Sequence, residues 1–542
     1  MAIPPDELIE AGIAHGLLER DAVTRLRVES RQRREPLLET IARHGRFPTA
    51  ALYRAWADQQ HLPFVDLNIT TIDPDLLSRL PETILRRRLI VPLSHEGNSI
   101  RIATCAPEDR ALQQTLERLL GSPLLVSLAD PESLQHGIDR ALKQLGKTAG
   151  PAPGLAEIDP VAALERILHQ AYLRRASDIH LEPIPHGMQV RLRIDGRLQL
   201  YLAGFNTAAG LAIVSRVKVL AGLDIAEQRA PQDGRFSFRS PGEEQKEIDV
   251  RVATVPTRWG ERATLRLLGA ETGTLSLENL GMLPDDLAQF RRVIRRPYGI
   301  ILLTGPTGSG KTTTLYAALR EINQPHLNIM TVEDPVEYVV QGVSQVHVGG
   351  SDKVTFASAL RSLLRHDPDV LMVGEIRDHE TADVAMKAAM TGHLLFSTLH
   401  TNSSCGAVTR LVDIGCEPFL VAATVVGVIA QRLVRRLCPN CKRPRPATAD
   451  EARLLHCEPG VTIHEPVGCA RCLGNGYYGR LGLFEPLWVD AELARLISRG
   501  ASQPELEAHC SGTLKTLRAD GALKVLAGLT SLEEVFTVTV GD

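Results

Sequence analysis

The sequence predicts an α/β fold built on an open sheet of parallel strands, and three segments predict it. Gly299-Ile-Ile-Leu-Leu-Thr304 is a short apolar run that leads at once into Gly305-Pro-Thr-Gly-Ser-Gly310-Lys311-Thr312. Ile329–Val332 is a second apolar run and ends in Glu333-Asp334-Pro335-Val336-Glu337. Asp369–Val373 is a third and ends in Gly374-Glu375-Ile376-Arg377-Asp378. After the first loop, Leu315, Ala318, Leu319 and Ile322 recur at helical spacing, so a helix with one buried face begins there. Strand, G-x-x-x-x-G-K-T and helix in that order define a phosphate-binding loop.

The residue types explain the chemistry. Gly305, Gly308 and Gly310 let the backbone curl until successive N–H groups point at one anion, on the positive end of a helix. Pro306, Thr307, Ser309 and Thr313 complete the nucleotide loop; Lys311 sets a charge on the β- and γ-phosphates, and the Thr312 hydroxyl ligates Mg²⁺. The expected ligand is ATP. Hydrolysis also needs an acidic group that orients water, and carboxylates at the carboxyl ends of strands lie where open α/β sheets bind ligands. Glu375 is the candidate general base, with Glu333 and Asp334 as candidates for Mg²⁺ or water. Asp378 reads as a helix cap, since Ala382, Ala385, Met386 and Ala389 follow on one face and Gly392 closes the run. His393 and His400 bracket an apolar strand of the same sheet and are candidate γ-phosphate sensors.

Composition bounds the rest. At 542 residues the chain has room for about three to four domains. Its 44% hydrophobic and 23% charged residues are ordinary for a globular protein and exclude a disordered or collagen-like chain. The net charge of −3 excludes grip on nucleic acid by bulk positive charge, so no nucleic-acid partner is expected. Met1–Glu7 lacks a basic segment followed by an apolar one, and the uncharged run Pro418–Ala430 is far short of the ~20 residues that cross a bilayer. The expectation is a soluble, cytoplasmic chain that meets any membrane through a partner.

Residues 1–145 read as mostly helical, with an echo 29 residues apart: Leu8-Ile9-Glu10 and His15-Gly16 recur as Leu37-Leu38-Glu39 and His44-Gly45. Leu89–Cys105 alternates as strands do. The stretch 146–158, rich in Gly, Ala and Pro, reads as a linker. Met188–Tyr201 reads as a hairpin turning at Asp195-Gly196, with Val190, Leu192, Ile194, Leu198 and Leu200 expected on one face and Arg191, Arg193 and Arg197 on the other.

Cys438-Pro-Asn-Cys441 and Cys469-Ala-Arg-Cys472 are two C-x₂-C knuckles. Four thiolates so spaced suit tetrahedral Zn²⁺ with no open coordination position, hence a structural metal. Cys105, Cys405, Cys416, Cys457 and Cys510 fit no such pattern and are expected to be inert.

Taken together these segments resemble the secretion ATPase superfamily, most closely the type II secretion (general secretory pathway E, GspE) branch. The resemblance is carried by Ser177-Asp178-Ile179-His180, Pro231-Gln232-Asp233-Gly234-Arg235, the phosphate loop, the 333–337 and 374–378 segments, the histidine segment 392–402, Gln431-Arg432-Leu433-Val434-Arg435 and the knuckles. It implies a PAS-like α+β domain at 159–272 and a RecA-like P-loop ATPase domain at 273–542, with the zinc insert at about 436–476 and helices at the C-terminus. Before them, 1–145 would be a platform-binding domain of the MshEN-like kind. It implies a homo-hexameric ATPase at the inner membrane, held by GspL-like and GspF-like platform proteins and driving pseudopilus assembly. Arg191, Arg193 and Arg216 stand where arginine fingers are expected. Pilus-assembly ATPases share the tetracysteine insert and are the alternative; a nucleic-acid translocase with a zinc knuckle is a further one. Some relatives bind cyclic di-GMP through repeats opening with Arg-Leu-Gly; Glu7 and Pro36 stand at those arginine positions here, so that ligand is not expected.

Overall fold

The computed structural model describes residues 3–33, 35–144, 159–240, 247–268, 276–349 and 354–539. The expected linker at 146–158 and the boundary at 272/273 lie outside the described residues. The chain divides into two compact units: Met1–Ala270 with the loops Cys438–Lys442 and Pro466–Tyr478, and Glu271–Leu437 with Arg443–Glu465 and Gly479–Asp542. The two cysteine knuckles thus belong to the first unit, although the strand pair between them, Arg443–Pro446 with Thr462–Glu465, belongs to the second.

In the first unit, helices Pro5–Ala14, Arg20–Arg33, Leu37–Gly45 and Ala50–Gln59 form the paired module that the echo predicts. Equivalent positions of the two copies share one core: Leu8, Ile9, Leu18 and Val23 from the first, and from the second Phe47 and Leu52, buried, with Leu37 and Leu38, partly buried, packed against it. Glu7 accepts a hydrogen bond from Trp56 Nε1 at 3.1 Å and serves the packing of the first helix on the fourth. A three-stranded sheet follows, Ile90–Glu96 antiparallel to Ser99–Thr104 and the latter parallel to Leu124–Leu128, covered by helices that include Pro131–Gln144.

Residues 159–240 and 247–268 form a six-stranded antiparallel sheet with the helices Pro160–Leu173 and Thr207–Leu220 packed on it. Asp159 caps the first helix by accepting from Val161 N–H, and Pro160 supplies its first position. The expected turn is present, with Asp195 at φ 49° and Gly196 at φ 87°, the left-handed pair of a type I′ hairpin. The face assignment needs correction. Ile194 pairs with Arg197 and Arg191 with Leu200, so an even-numbered residue of Gly187–Ile194 shares its face with an odd-numbered one near the turn. Leu198 and Leu200 therefore lie on the arginine side, Leu200 exposed, and Tyr201 is buried instead. A two-residue turn reverses the parity of the alternation, which a count along one strand misses.

The second unit is built on a seven-stranded sheet whose order is Ser344–His347, Ile329–Glu333, Val370–Val373, Leu394–Leu399, Gly299–Thr304, Val425–Leu437 and Tyr477–Trp488. The first six strands pair in parallel. Gly299–Thr304, Val370–Val373 and Leu394–Leu399 are buried along their whole length, as strands covered on both faces must be. Alternate residues feed two cores: Ile300, Leu302, Leu371 and Leu395 one, Ile301, Leu303, Met372 and Phe396 the other. This two-sided burial fixes the strand ends, and hence the loops that carry the chemistry. Among the described residues no helix is long and apolar enough to cross a membrane.

Candidate functional site

The loop Gly305–Gly310 joins Gly299–Thr304 to the helix Lys311–Ile322. Gly305 lies at φ 148°, and a Cβ there would stand 2.5 Å from the Gln431 carbonyl oxygen; Gly310, at φ 88°, would press one to within 2.8 Å of Gln431 Nε2. These two positions require glycine because the neighbouring Val425–Leu437 strand closes on the loop from behind. Lys311 Nζ folds back to donate to the Gly305 and Pro306 carbonyls at 2.6 and 3.1 Å. Burial pushes its ammonium down to about 8, opposed by the charge of Glu375 and reinforced by Arg432. Ser309 Oγ is buried without a hydrogen-bond partner. A cramped glycine loop, an orphaned hydroxyl and a cation folded onto its own carbonyls fit a phosphate chain, which would satisfy all three. Thr312 and Thr313 follow at the helix start, both half-buried.

The acidic residues divide by environment. Glu375 stands just past Val370–Val373, with Arg377 Nη2 at 2.5 Å from Oε1 and His400 Nε2 at 3.2 Å from Oε2. Ser397 and Thr398 hydroxyls bond the Val373 and Gly374 carbonyls, both at 2.8 Å, and hold this strand end against the neighbouring strand. Thr304, where the phosphate loop begins, bonds Thr401 Oγ1 at 2.6 Å and receives its N–H at 2.9 Å. Glu375, His400 and the phosphate loop therefore share one rim of the sheet.

Glu333 sits differently. It is buried, and its carboxylate accepts Thr331 Oγ1 at 2.6 Å, Gln345 Nε2 at 3.1 Å and the Tyr316 hydroxyl. Tyr316 in turn receives the Glu337 N–H at 3.2 Å, so Glu333 fastens the segment after its strand to the helix of the phosphate loop. Burial and the neighbouring carboxylate push the Tyr316 phenol far up, so it stays a donor. Asp334 is exposed and close enough to add charge to Arg377.

His393 is not with the others. It precedes Leu394, which pairs with Gly299 at the start of the phosphate-loop strand, a strand's length from the loop itself. Its Nδ1 lies 2.9 Å from the Ala388 carbonyl and 3.2 Å from Thr391 Oγ1, closing the helix His379–Met390. Asp378 caps that helix at its other end through Thr381 N–H, 2.8 Å away. The two histidines bracket one strand and so stand at its opposite ends.

Arg432 is the residue at this site to which sequence reasoning assigned no role. Its guanidinium bonds the Gln431 carbonyl at 3.1 Å and the Asn402 carbonyl at 3.1 Å, and Nη1 lies 3.1 Å from where a Gly305 Cβ would stand. Gln431 accepts the Thr314 hydroxyl at 2.9 Å. The signal was the polar pair Gln431-Arg432 directly after the apolar run Val425–Ala430. In the first unit, Arg191 donates through Nε and Nη2 to the two carboxylate oxygens of Glu182, at 2.7 and 2.6 Å, Arg193 lies 3.6 Å from Asp178, and Arg216 is half-buried on Thr207–Leu220.

The four knuckle cysteines converge. Their sulfurs all lie within 4.8 Å of one another. Cys438–Cys469, Cys441–Cys472 and Cys469–Cys472 separations are 3.8, 3.7 and 3.8 Å. Four thiolates bound tetrahedrally at about 2.3 Å have edges of about 3.8 Å, so the cluster fits Zn²⁺. Cys472 is held well below an ordinary thiol by its Cys438 and Cys469 neighbours and by the Cys469 and Gly476 N–H groups at 3.1 and 3.2 Å. Burial raises the Cys441 thiol to about 11, opposed by the Gly468 N–H that its sulfur accepts at 3.2 Å. The loops are anchored in the first unit: Ala470 is fully buried in the helical module's core, and Asn440 Nδ2 donates to the His15 carbonyl at 2.6 Å. Burial raises the thiols of Cys405 and Cys416, to about 12 and about 11, in keeping with inert roles.

The geometry agrees with comparison to known proteins. Residues 155–537 match the family model described as Type II/IV secretion system protein, and residues 60–148 match that of the MshEN domain. The chain is 46% identical over 446 residues to the type II secretion system protein E of Pseudomonas aeruginosa, covering 82% of this chain and 85% of that one. It is 39% identical over 535 residues to the type IV pilus assembly ATPase PilB of Myxococcus xanthus, covering 93% of each. The solved structure of the Legionella pneumophila ATPase DotB superposes with a TM-score of 0.53 at 23% identity, covering 72% of this chain and 98% of that one, a likeness of fold. With a phosphate loop, an acidic strand end and a fitting tetrathiolate in one chain, the protein belongs to the Type II/IV secretion system protein family and is an ATPase.

Proposed function

We propose that the chain is the motor of a type II secretion system, working as a homo-hexamer on the cytoplasmic side of the inner membrane and converting ATP hydrolysis into pseudopilus assembly. The observation that carries the reading is the shared rim of the sheet, where the phosphate loop, Glu375 and His400 stand together on an ATPase fold. In this reading residues 305–313 cradle the phosphates, and Thr312 would hold a Mg²⁺ that would neutralise phosphate charge. Lys311 leaves its carbonyl partners for the phosphates. Glu375 accepts a proton from water as the water oxygen bonds to the γ-phosphorus and the bond to the β–γ bridging oxygen breaks, giving ADP and inorganic phosphate. His400 positions the Glu375 carboxylate, and Asp334 faces Arg377. Glu333 supports the site by holding the helix of the phosphate loop, and His393 takes no part in the chemistry. Arg191, Arg193 and Arg216 are the finger candidates; Arg191 would first have to leave Glu182. Zn²⁺ held by the four cysteines is structural. Segments 1–145, 159–272 and 273–542 are the working domains, the first engaging GspL-like and GspF-like platform proteins.

Identity to a pilus assembly ATPase over 93% of both chains supports a second reading, extension of a type IV pilus. Phosphate release measured on the native protein, with and without reconstituted platform proteins, tests both. Activity stimulated at least several-fold by a secretion platform, in a particle of six chains, is the expected result. Stimulation by a pilus platform alone selects the second reading, and an absence of phosphate release from the platform-bound hexamer overturns the motor.

The buried lysine gives a measurable pH signature. In the free protein Lys311 titrates at about 8, so at about pH 8.5 roughly three quarters of it is neutral, and binding a triphosphate restores its charge. Calorimetry in buffers of different ionisation enthalpy is expected to show uptake of more than about half a proton per ATP at that pH and little at about pH 7. The uptake disappears in Lys311→Met. Equal uptake at both pH values would show that the loop does not need the ammonium.

A further inference from the structure

Outside the nucleotide site, the first unit holds a cavity of about 120 Å³ where the helical module, the six-stranded domain and the second cysteine loop come together. Its wall includes Arg46, Arg174, Arg175 and Arg471, and no aspartate or glutamate. Each guanidinium lies against an aromatic ring: Arg46 over Tyr172 at 5.6 Å, Arg174 over Tyr201 at 5.0 Å, and Arg175 and Arg471 over Tyr478 at 3.6 and 5.0 Å. Such stacking fixes the plane of a guanidinium while leaving its N–H edges for an acceptor. Arg174 Nε is buried without a hydrogen-bond partner. Arg175 reaches Asp195 only at 3.5 Å, Arg471 donates to Asn440 Oδ1 at 3.2 Å, and Asp130 and Glu132 act on Arg174 at longer range.

Four cations in one concave wall repel one another, and a buried guanidinium edge left unpaired is costly, so the arrangement asks for an anion. The cavity has the room of about four water molecules at their share of liquid volume, ~30 Å³ each, which suits a phosphoryl group or two. Planar guanidinium forks match phosphate oxygens in pairs. We propose that this pocket binds the phosphate groups of a small phosphorylated molecule, at a site separate from the 305–312 loop. Cys472 and Asn475 also line the pocket, so an occupant would tie the second cysteine loop to the helical module and link the metal centre to ligand supply.

The test uses full-length, zinc-loaded protein carrying Lys311→Ala, so that the nucleotide loop does not contribute. Inorganic pyrophosphate and ADP are titrated separately by calorimetry at low salt. Saturable binding of one equivalent is expected, weakening as salt is added. The double variant Arg174→Gln/Arg471→Gln should weaken it at least tenfold. Gln199→Glu, which sets a carboxylate in the same wall without removing any packed side chain, should do the same and decides the matter if the double variant fails to fold. Equal affinity for the two probes assigns recognition to the phosphates alone, and tighter ADP binding assigns it to a nucleoside diphosphate; either supports the site. Failure of both probes to saturate the Lys311→Ala protein, or binding that Gln199→Glu leaves unchanged, overturns it.

Discussion

Glu375→Gln is expected to lower kcat by at least ~100-fold while ATP affinity stays the same or rises slightly. The factor is the lower end of what a positioned general base contributes, ~10²–10⁴. The amide keeps the size of the carboxylate and can still meet Arg377 and His400, which stand 2.5 and 3.2 Å from its two oxygens, so the strand end should not move. What is lost is basicity toward water. Affinity does not fall because removing a negative charge near Lys311 also removes its repulsion of the γ-phosphate. Single-turnover phosphate release alongside equilibrium nucleotide binding separates the two quantities. Turnover near that of the unaltered protein would remove Glu375 from the reaction; a parallel loss of binding would make it a structural anchor like Glu333.

The second large effect concerns the cysteines. Cys438→Ser leaves three thiolates and is expected to cut zinc occupancy sharply and lower stability by at least ~3 kcal/mol. Binding of a structural zinc contributes about 10–16 kcal/mol in small peptides, so a partial loss of this order is a modest fraction. Damage should spread, because the knuckles do not stand alone: Ala470 is buried in the core formed by the first four helices, and Leu473 packs against that core. Metal content by atomic absorption, thermal denaturation, and proteolysis within 466–478 report the three consequences. A Cys438→Ser protein with full zinc and unchanged melting would defeat the tetrathiolate assignment. Cys457→Ser, outside the cluster, should leave metal content unchanged.

Much of the nucleotide site was legible because its residues are local in sequence. Strand, loop and helix from Gly299 to Ile322 are consecutive, and the glycines, Lys311 and Thr312 carry their meaning in their spacing. The strand-end position of Glu375 and the convergence of the four cysteines were legible for the same reason, each standing beside an unmistakable neighbour: an apolar strand end or a second cysteine. Glu333 shows where that logic stops. By sequence it matches Glu375, a carboxylate at a strand end, yet the structure commits it to Tyr316, Thr331 and Gln345. His393 shows the converse, since sequence proximity to His400 suggested a shared role that an intervening six-residue strand forbids.

What the sequence by itself determined is the local chemistry: which backbone can wrap a phosphate, which acids end strands, which thiols come in pairs. These follow from short-range steric and periodic rules, so a window of about twenty residues contains them. Tertiary structure alone decided which of those groups meet. Arg432 reached the phosphate loop because parallel pairing sets residues 126 positions apart, such as Thr304 and Ala430, side by side. Four arginines from three separate stretches of chain formed one wall for the same kind of reason: burial of apolar surface sets the packing, and charged side chains are carried to wherever that packing leaves room.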